Sequence, residues 1–180
     1  MKPILITGAR RGLGRALYEY MRNTKGQAVY GPPRDVLDVT EPESWILTQP
    51  YYGELGGIVN VAGIGPARNI TEESPEGFEE VMQTNLTSNF LGLRYAAEAI
   101  EDGGSFITVS SVIGLRAGPA AAVAYEASKA AQLALVRHAA VALAPRIRVN
   151  AIVPGYIADT GMTDVLKGDK FDKYIESLTT

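Results

Sequence analysis

The chain has 180 residues, 46% hydrophobic and 21% charged, with a formal net charge of −3 at pH 7, which suits one ordinary soluble domain with a sizeable core. There is no basic footprint for nucleic acid and no polybasic membrane anchor, the apolar runs break well before membrane-spanning length, and no signal peptide precedes the first strand. Zero cysteines exclude disulfides, thiolate metal sites and cysteine nucleophiles, and one histidine argues against a histidine-rich metal site or a Ser-His-Asp triad, so no metal is expected and the expected location is cytoplasmic.

Residues 2–7 read as a short buried strand, and 15–24 as a helix with Leu17, Tyr20 and Met21 near helical spacing. Between them, residues 7–14 (Thr-Gly-Ala-Arg-Arg-Gly-Leu-Gly) form a glycine-rich turn. Glycines at such a turn let backbone N–H groups approach a pyrophosphate, which then rests on the positive end of the following helix. The turn therefore predicts a bound dinucleotide; the bland alternative is a tight strand-to-helix turn without ligand.

A second short strand spans 27–30 and is stopped by Gly31-Pro32-Pro33, and 36–39 reads as a third. Residues 41–48 look helical, with Thr40 as N-cap and Pro42 in the first turn. A fourth strand, 57–61, ends at Ala62-Gly63. Ser74 caps a long helix from 75 to about 101, carrying Phe78, Val81, Met82, Leu86 and Phe90 near helical spacing, and Gly103-Gly104 ends it. A fifth strand covers 105–110. An alanine-rich second long helix covers 125–143 and is closed by Pro145. A sixth strand covers 147–153 and is stopped by Pro154-Gly155.

Strands joined by helices imply right-handed crossovers and a mostly parallel sheet covered on both faces. The ligand of such a sheet lies beyond the carboxyl ends of its strands, where the strand order switches. Gly8, Asn60, Ser110, Ser111 and Pro154-Gly155 all gather at that end.

Tyr125 and Lys129 stand four apart, hence on one face of the same helix. Tyr-x-x-x-Lys alone is weak, since a half-buried tyrosine beside a solvated lysine meets it by chance. Combined with Ser111 at the end of the fifth strand, the glycine turn and Asn60-Val61-Ala62-Gly63, it becomes specific. With these residues the chain resembles the short-chain dehydrogenase/reductase family over residues 1 to about 165, including an Asp-Val pair at 38–39, Asn85 in the long helix, and Pro154-Gly155 followed by Thr160.

The resemblance implies an α/β fold: a Rossmann-type, doubly wound, mostly parallel sheet in a three-layer αβα arrangement. Residues 1–180 would form a single dinucleotide-binding and catalytic domain, with 162–180 part of a substrate lid and the usual C-terminal strand missing. It also implies an NAD(P)-dependent oxidoreductase that interconverts a small ketone or aldehyde and an alcohol. Tyr125 would act as general acid or base. Working near neutrality would lower its phenol by about three units, roughly 4 kcal/mol, supplied by the Lys129 ammonium and the nicotinamide cation. Lys129 would also hold the ribose hydroxyls, Ser111 would orient the substrate oxygen, and Asn85 would support a water relaying protons to Lys129.

For the cofactor, the resemblance implies Thr7, Gly8, Arg10, Arg11, Gly12, Leu13 and Gly14 at the turn. Asp38 would accept from the adenine amino group, Val39 would pack on its ring, and Asn60, Ala62 and Gly63 would line the adenosine ribose and sheet edge. Pro154, Gly155, Ile157 and Thr160 would hold the nicotinamide carboxamide and pyrophosphate. Arg11 and Arg34 favour NADP, while Asp35 keeps NAD open. Relatives pair through the two long helices, implying a homodimer or homotetramer. A non-catalytic NADP-binding sensor or scaffold is the rival reading, with an epimerase or dehydratase less favoured.

Two departures from the family pattern stand out. The segment 31–35 leaves no room for a crossover helix, so the second and third strands run together or one is irregular. The chain also stops at Thr180, where the family continues with a helix and a seventh strand. The loops 64–71 and 115–124 and the region after Gly155 would shape the substrate, with Arg68 and Arg116 the charged exceptions in small, apolar surroundings. His138 is expected at a surface or interface, and Trp45 to pack a short helix on the sheet.

Overall fold

In the computed structural model, residues 1–116, 122–157 and 160 are described. Five parallel strands build one sheet: β1 (Ile4–Thr7), β2 (Val29–Tyr30), β3 (Leu55–Asn60), β4 (Ile100–Val109) and β5 (Arg148–Ile152). Their spatial order is β2-β1-β3-β4-β5. The chain leaves β1 toward β2 on one side and returns to β3 on the other, so the switch in strand order lies between β1 and β3. Register aligns Thr7 with Asn60, and Asn60 with Thr108, at the carboxyl ends.

Alternation along the strands divides the core in two. Leu5, Ile58 and Phe106 face one cluster, which takes in Trp45 of α2 (Pro42–Tyr52), Leu91 of α4 (Ser88–Leu91), and Val136 and Ala139 of α5 (Val123–Ala142). Ile6 and Val59 face the other side, where Leu17, Tyr18 and Met21 of α1 (Gly12–Thr24) pack on them. The layers are therefore helix, sheet and helix, as expected.

Several boundaries differ from the sequence reading, each for a local reason. Residues 36–39 form no strand. The N–H groups of Val36 and Leu37 turn back onto the Pro33 carbonyl at 3.0 and 2.9 Å, because 31–35 is too short to lead into a second parallel strand. Leu37 is buried there, Val39 accepts from the Trp45 indole at 3.0 Å, and β2 is left as the sheet's edge. Of 27–30 only Val29–Tyr30 pairs with β1, Gln27 instead donating its side chain to the Lys2 carbonyl. α2 starts after Glu41 rather than a Thr40 cap and runs on to Tyr52. Thr40 is drawn instead to Asp38, whose Oδ1 accepts from its N–H and hydroxyl at 3.0 and 2.7 Å.

The long helix after Ser74 is broken into α3 (Pro75–Met82), a π-helical turn (Gln83–Thr87), α4, a second π-helical turn (Gly92–Ala96) and a 3-10 turn ending at Ala99. Strand β4 then begins at Ile100. Gly103-Gly104 do not end the helix: they lie inside β4, where its pairing with β3 jumps from Leu55–Ile100 to Gly57–Ser105. Strand β3 begins two residues before the expected 57, α5 begins at Val123 rather than 125, and β5 is one residue shorter at each end than 147–153. The Ser74 cap is present, its hydroxyl accepting from the Gly77 N–H at 3.0 Å. Residues 162–180, the expected lid, lie outside the described residues.

Candidate active site

The glycine turn brings three backbone segments into contact. A Cβ on Gly14 would stand 2.3 Å from the Gly8 carbonyl oxygen, so only hydrogen lets α1 approach the turn this closely. Gly8, at φ +68°, lies against the Ala62 backbone, and Gly12 lies against the Thr160 carbonyl. The turn, the end of β3 and the segment after β5 thus converge. Thr7 fastens two of them: its hydroxyl donates to Asn60 Oδ1 and accepts from the N–H groups of Val61 and Ala62 at 3.1 Å each.

α1 opens with Arg11 as its N-cap residue, without a side-chain cap bond and with no acidic residue in the first turn. Its first N–H groups therefore have no capping side chain and lie at the positive end of the helix dipole. Beside them, a cleft of about 430 Å³ is bounded by Arg10, Arg11, Gly12 and Thr160. Uncapped donors, the Arg10 and Arg11 cations and glycines at 8, 12 and 14 fit a pyrophosphate, with the Glu19 carboxylate on the same cleft paired to Arg15 at 2.8 Å. Leu13 sits within the first turn of α1.

Arg34 and Asp38 sit together, with Nε donating to Asp38 Oδ2 at 2.8 Å. Burial pushes the Asp38 carboxyl up, but hydrogen bonds from Thr40 and Arg34 outweigh it and hold it below the usual carboxylate range. Both Asp38 oxygens are engaged within the chain, which leaves it a weaker acceptor for an adenine amino group than the sequence reading assigned.

At the far end of the crevice, Ser110 N–H donates to Ile152 and Val112 N–H to Pro154, at 2.8 and 2.9 Å. These bonds set Ser111 beside Pro154-Gly155. Ser111 caps a short 3-10 turn (Val112–Gly114), its hydroxyl accepting from the Ile113 N–H at 3.5 Å, and it lies on the Tyr125 side of the crevice, where it favours the ionised phenol. α5 is anchored there by Ser110 Oγ donating to the Lys129 carbonyl at 2.9 Å. Lys129 Nζ stands over the Tyr125 ring, 5.3 Å from its centroid, and donates to the Val109 carbonyl at 2.8 Å. Gly63 lines the same spot: a Cβ there would lie 3.8 Å from Lys129 Nζ and 3.1 Å from Asn85 Oδ1. Ser111, Tyr125, Lys129 and Asn85, spread over 45 residues of sequence, are thus brought to one place beside Gly63.

The electrostatics of this group overturn one expectation. Burial pushes the Tyr125 phenol up, and Ser111 pulls it only partly back. The ammonium faces the ring and donates to the Val109 carbonyl rather than to the phenol oxygen, and burial still holds the phenol above its ordinary value. Lys129 itself is 4% exposed, and burial brings its amine down to about 8. A buried cation with one carbonyl partner fits the expected ribose hydroxyls, which would accept its remaining N–H donors.

Asn85, expected to support a water, is held by four bonds within the chain. Its Oδ1 accepts from the Ile64 N–H, and its Nδ2 donates to the Ile64 carbonyl and Ser128 Oγ, all at 2.9 Å. Its carbonyl accepts from Gln132 Nε2 at 2.7 Å. The side chain is committed to holding the loop after β3 against α5. Ser128, Gln132 and Asn89 were not singled out from sequence, because a polar side chain amid alanines reads as solvated. Ser128 and Gln132 do lie one helical turn from Tyr125 and Lys129, and that spacing was the available signal.

Among the described residues, no helix is long and apolar enough to cross a membrane, and no group of three or more His, Asp or Glu side chains could hold a metal. A family model described as enoyl-(acyl carrier protein) reductase matches residues 8–180. The chain belongs to the short-chain dehydrogenase/reductase family. Among curated relatives, it is 32% identical to a 3-alpha-(or 20-beta)-hydroxysteroid dehydrogenase of Mycobacterium tuberculosis, over 94% of this chain and 74% of that one. It is 31% identical to an acyl-carrier-protein 3-oxoacyl reductase of Aquifex aeolicus, over 97% and 71%. A short-chain dehydrogenase of Burkholderia cenocepacia, solved in complex with NADP, superposes with a TM-score of 0.82 at 26% identity, covering 100% of this chain and 86% of that one. These likenesses make the protein an NAD(P)-dependent oxidoreductase of Rossmann fold.

Proposed function

We propose that the protein, as a single dinucleotide-binding and catalytic domain, reduces a ketone or aldehyde to an alcohol, and runs the reverse, with Tyr125 as general acid and base. The gathering of Ser111, Tyr125 and Lys129 beside Gly63, with the Lys129 ammonium 5.3 Å from the Tyr125 ring centroid, supports this reading. A bound nicotinamide dinucleotide supplies the hydride that a carbonyl carbon accepts. The Tyr125 hydroxyl gives its proton to the carbonyl oxygen as negative charge develops there, and Ser111 donates to the same oxygen. Lys129 holds ribose hydroxyls and faces the phenolate that the transfer leaves, which moderates the charge. Burial raises the phenol, so it is protonated and able to donate at neutral pH. Phenol loss in the oxidative direction needs the bound cofactor's positive charge to offset burial.

NADP is the preferred cofactor in this reading. Arg11 borders the cleft beside α1, and Arg34 uses only Nε on Asp38, leaving its terminal nitrogens to reach a 2′-phosphate. Exposed Phe78, Phe90 and Val141 on the two long helical segments support pairing of copies through them.

Cofactor-dependent carbonyl reduction, followed by the absorbance of the reduced dinucleotide, tests the assignment. Tyr125→Phe is expected to lower kcat by at least about 100-fold with cofactor affinity intact. Full activity in that variant overturns the role of Tyr125. Arg34→Ala is expected to raise KM for NADPH by about tenfold while sparing NADH; an equal rise for both overturns the preference for NADP.

A further inference from the structure

A seam of buried amides and hydroxyls crosses the molecule from the strand ends to α5, and it has one gap. Thr7 Oγ1 donates to Asn60 Oδ1, and Asn60 Nδ2 donates to Asn89 Oδ1 at 3.0 Å. Asn89 Oδ1 also accepts from Thr108 Oγ1 at 3.0 Å. Two donors on one oxygen fix which way the Asn89 amide points. Its Nδ2 is left without a partner in a residue that is 0% exposed.

On the α5 side, Gln132 Nε2 must face the Asn85 carbonyl to which it donates, which orients that amide too. Its Oε1 is likewise buried without a partner. From Asn85 the seam runs on through Nδ2 to Ser128 Oγ, which donates to the Tyr125 carbonyl at 2.8 Å. The orphan donor ends one chain of hydrogen bonds, and the orphan acceptor begins the other.

Helix geometry brings the two residues to the same side of the seam. Asn85 and Asn89 stand four residues apart on one helix face, and a helical carbonyl points along the axis toward the following turn. The Gln132 amide gripping the Asn85 carbonyl thus lies alongside Asn89. Buried polar atoms of native proteins find partners, and a polar gap between two side chains commonly holds a water.

We propose that one buried water joins Asn89 Nδ2 to Gln132 Oε1, and that Gln132 is thereby a positioning residue for Tyr125 and Lys129. The bridge ties the frame at the dinucleotide edge, where Thr7 holds Val61 and Ala62, to the helix that carries the phenol and the amine. Gln132 contacts neither substrate nor cofactor in this scheme. It acts through Asn85 and Ser128 on the backbone of Tyr125.

The kinetic consequence rests on Tyr125 being the proton donor; the water does not. A crystal structure of the unaltered protein is expected to show an ordered water within about 3.2 Å of both atoms. A dry gap, or either atom bonded elsewhere, overturns the bridge, and this arm stands even where a variant fails to fold. In the holoenzyme, Gln132→Leu is expected to lower kcat about tenfold with the dinucleotide KM unchanged, but by about threefold in an Asn89→Ala background, where only the Asn85 bond remains to be lost. The loss of the other Asn89 bonds is common to both arms of that cycle and cancels. The same factor in both backgrounds, or a loss confined to KM, overturns the coupling. A water in place while Tyr125→Phe keeps full activity would instead remove the reading of the site and leave the bridge standing.

Discussion

Replacing Lys129 by Met is expected to stabilise the protein while abolishing its activity. Burial holds the Lys129 amine at about 8 against an ordinary 10.5, so the folded chain resists its charge. With a folded value below the unfolded one, the unfolded state binds more protons between those pH values, and stability rises with pH across that window. Below pH 8 the full penalty applies: 2.5 units at 1.36 kcal/mol each is about 3 kcal/mol. Met has similar length and no charge, and so escapes the penalty. It leaves the Val109 carbonyl without its 2.8 Å donor, a cost of about 1 kcal/mol, for a net gain of about 2 kcal/mol at pH 7. Urea unfolding of both proteins without cofactor, at pH 7 and pH 10, checks this. The advantage of the variant should largely vanish between the two, a change of about 2 kcal/mol, because the wild type sheds its buried charge while other groups titrate alike in both. A variant less stable at pH 7, or a difference constant with pH, would refute the account of Lys129 as a strained buried cation.

The parts of this molecule that were legible in its sequence share one property: their physics is local. The turn needs glycine at 8, 12 and 14 because α1 starts two residues after Arg10 and packs back on it, and that requirement is written in residues 8–14. Tyr125 and Lys129 share a face because helical spacing dictates it. The deletion after β2 was visible as a length too short for a crossover, although whether Val36 and Leu37 would pair or turn depended on the buried seat of Leu37 beneath the sheet, a tertiary fact. The first break in the helix after α3 had no marker: Gln83, Asn85 and Leu86 suit an unbroken helix, and the π-helical turn Gln83–Thr87 lies where Asn85 is bonded to Ile64 and Gln132 from outside. For the same reason the sequence assigned Asn85 to a water and Lys129 to acidifying the phenol. Both side chains carry the chemistry those roles need, but partners some 20 residues or more away had already taken them.

Three further outcomes test the frame and the site. Ser74→Ala removes the 3.0 Å cap bond to Gly77 and should cost about 1 kcal/mol in urea unfolding; no loss would mean α3 is held by packing alone. Gly14→Ala drives a methyl to 2.3 Å from the Gly8 carbonyl oxygen, so α1 must shift away from the turn. Its affinity for the dinucleotide, measured by calorimetry, should fall at least about tenfold, and unchanged binding would place the pyrophosphate elsewhere. The pH profile of carbonyl reduction separates the amine from the phenol, because burial moves them in opposite directions. The phenol is pushed up, so its ionisation takes no activity away near neutrality, whereas Lys129 loses its proton through about 8. kcat/KM, which reports groups of the free enzyme, should therefore fall on an alkaline limb near pH 8. A limb that begins only where a tyrosine ionises, at about 10 or higher, would show that the charge on Lys129 is not needed for the reduction.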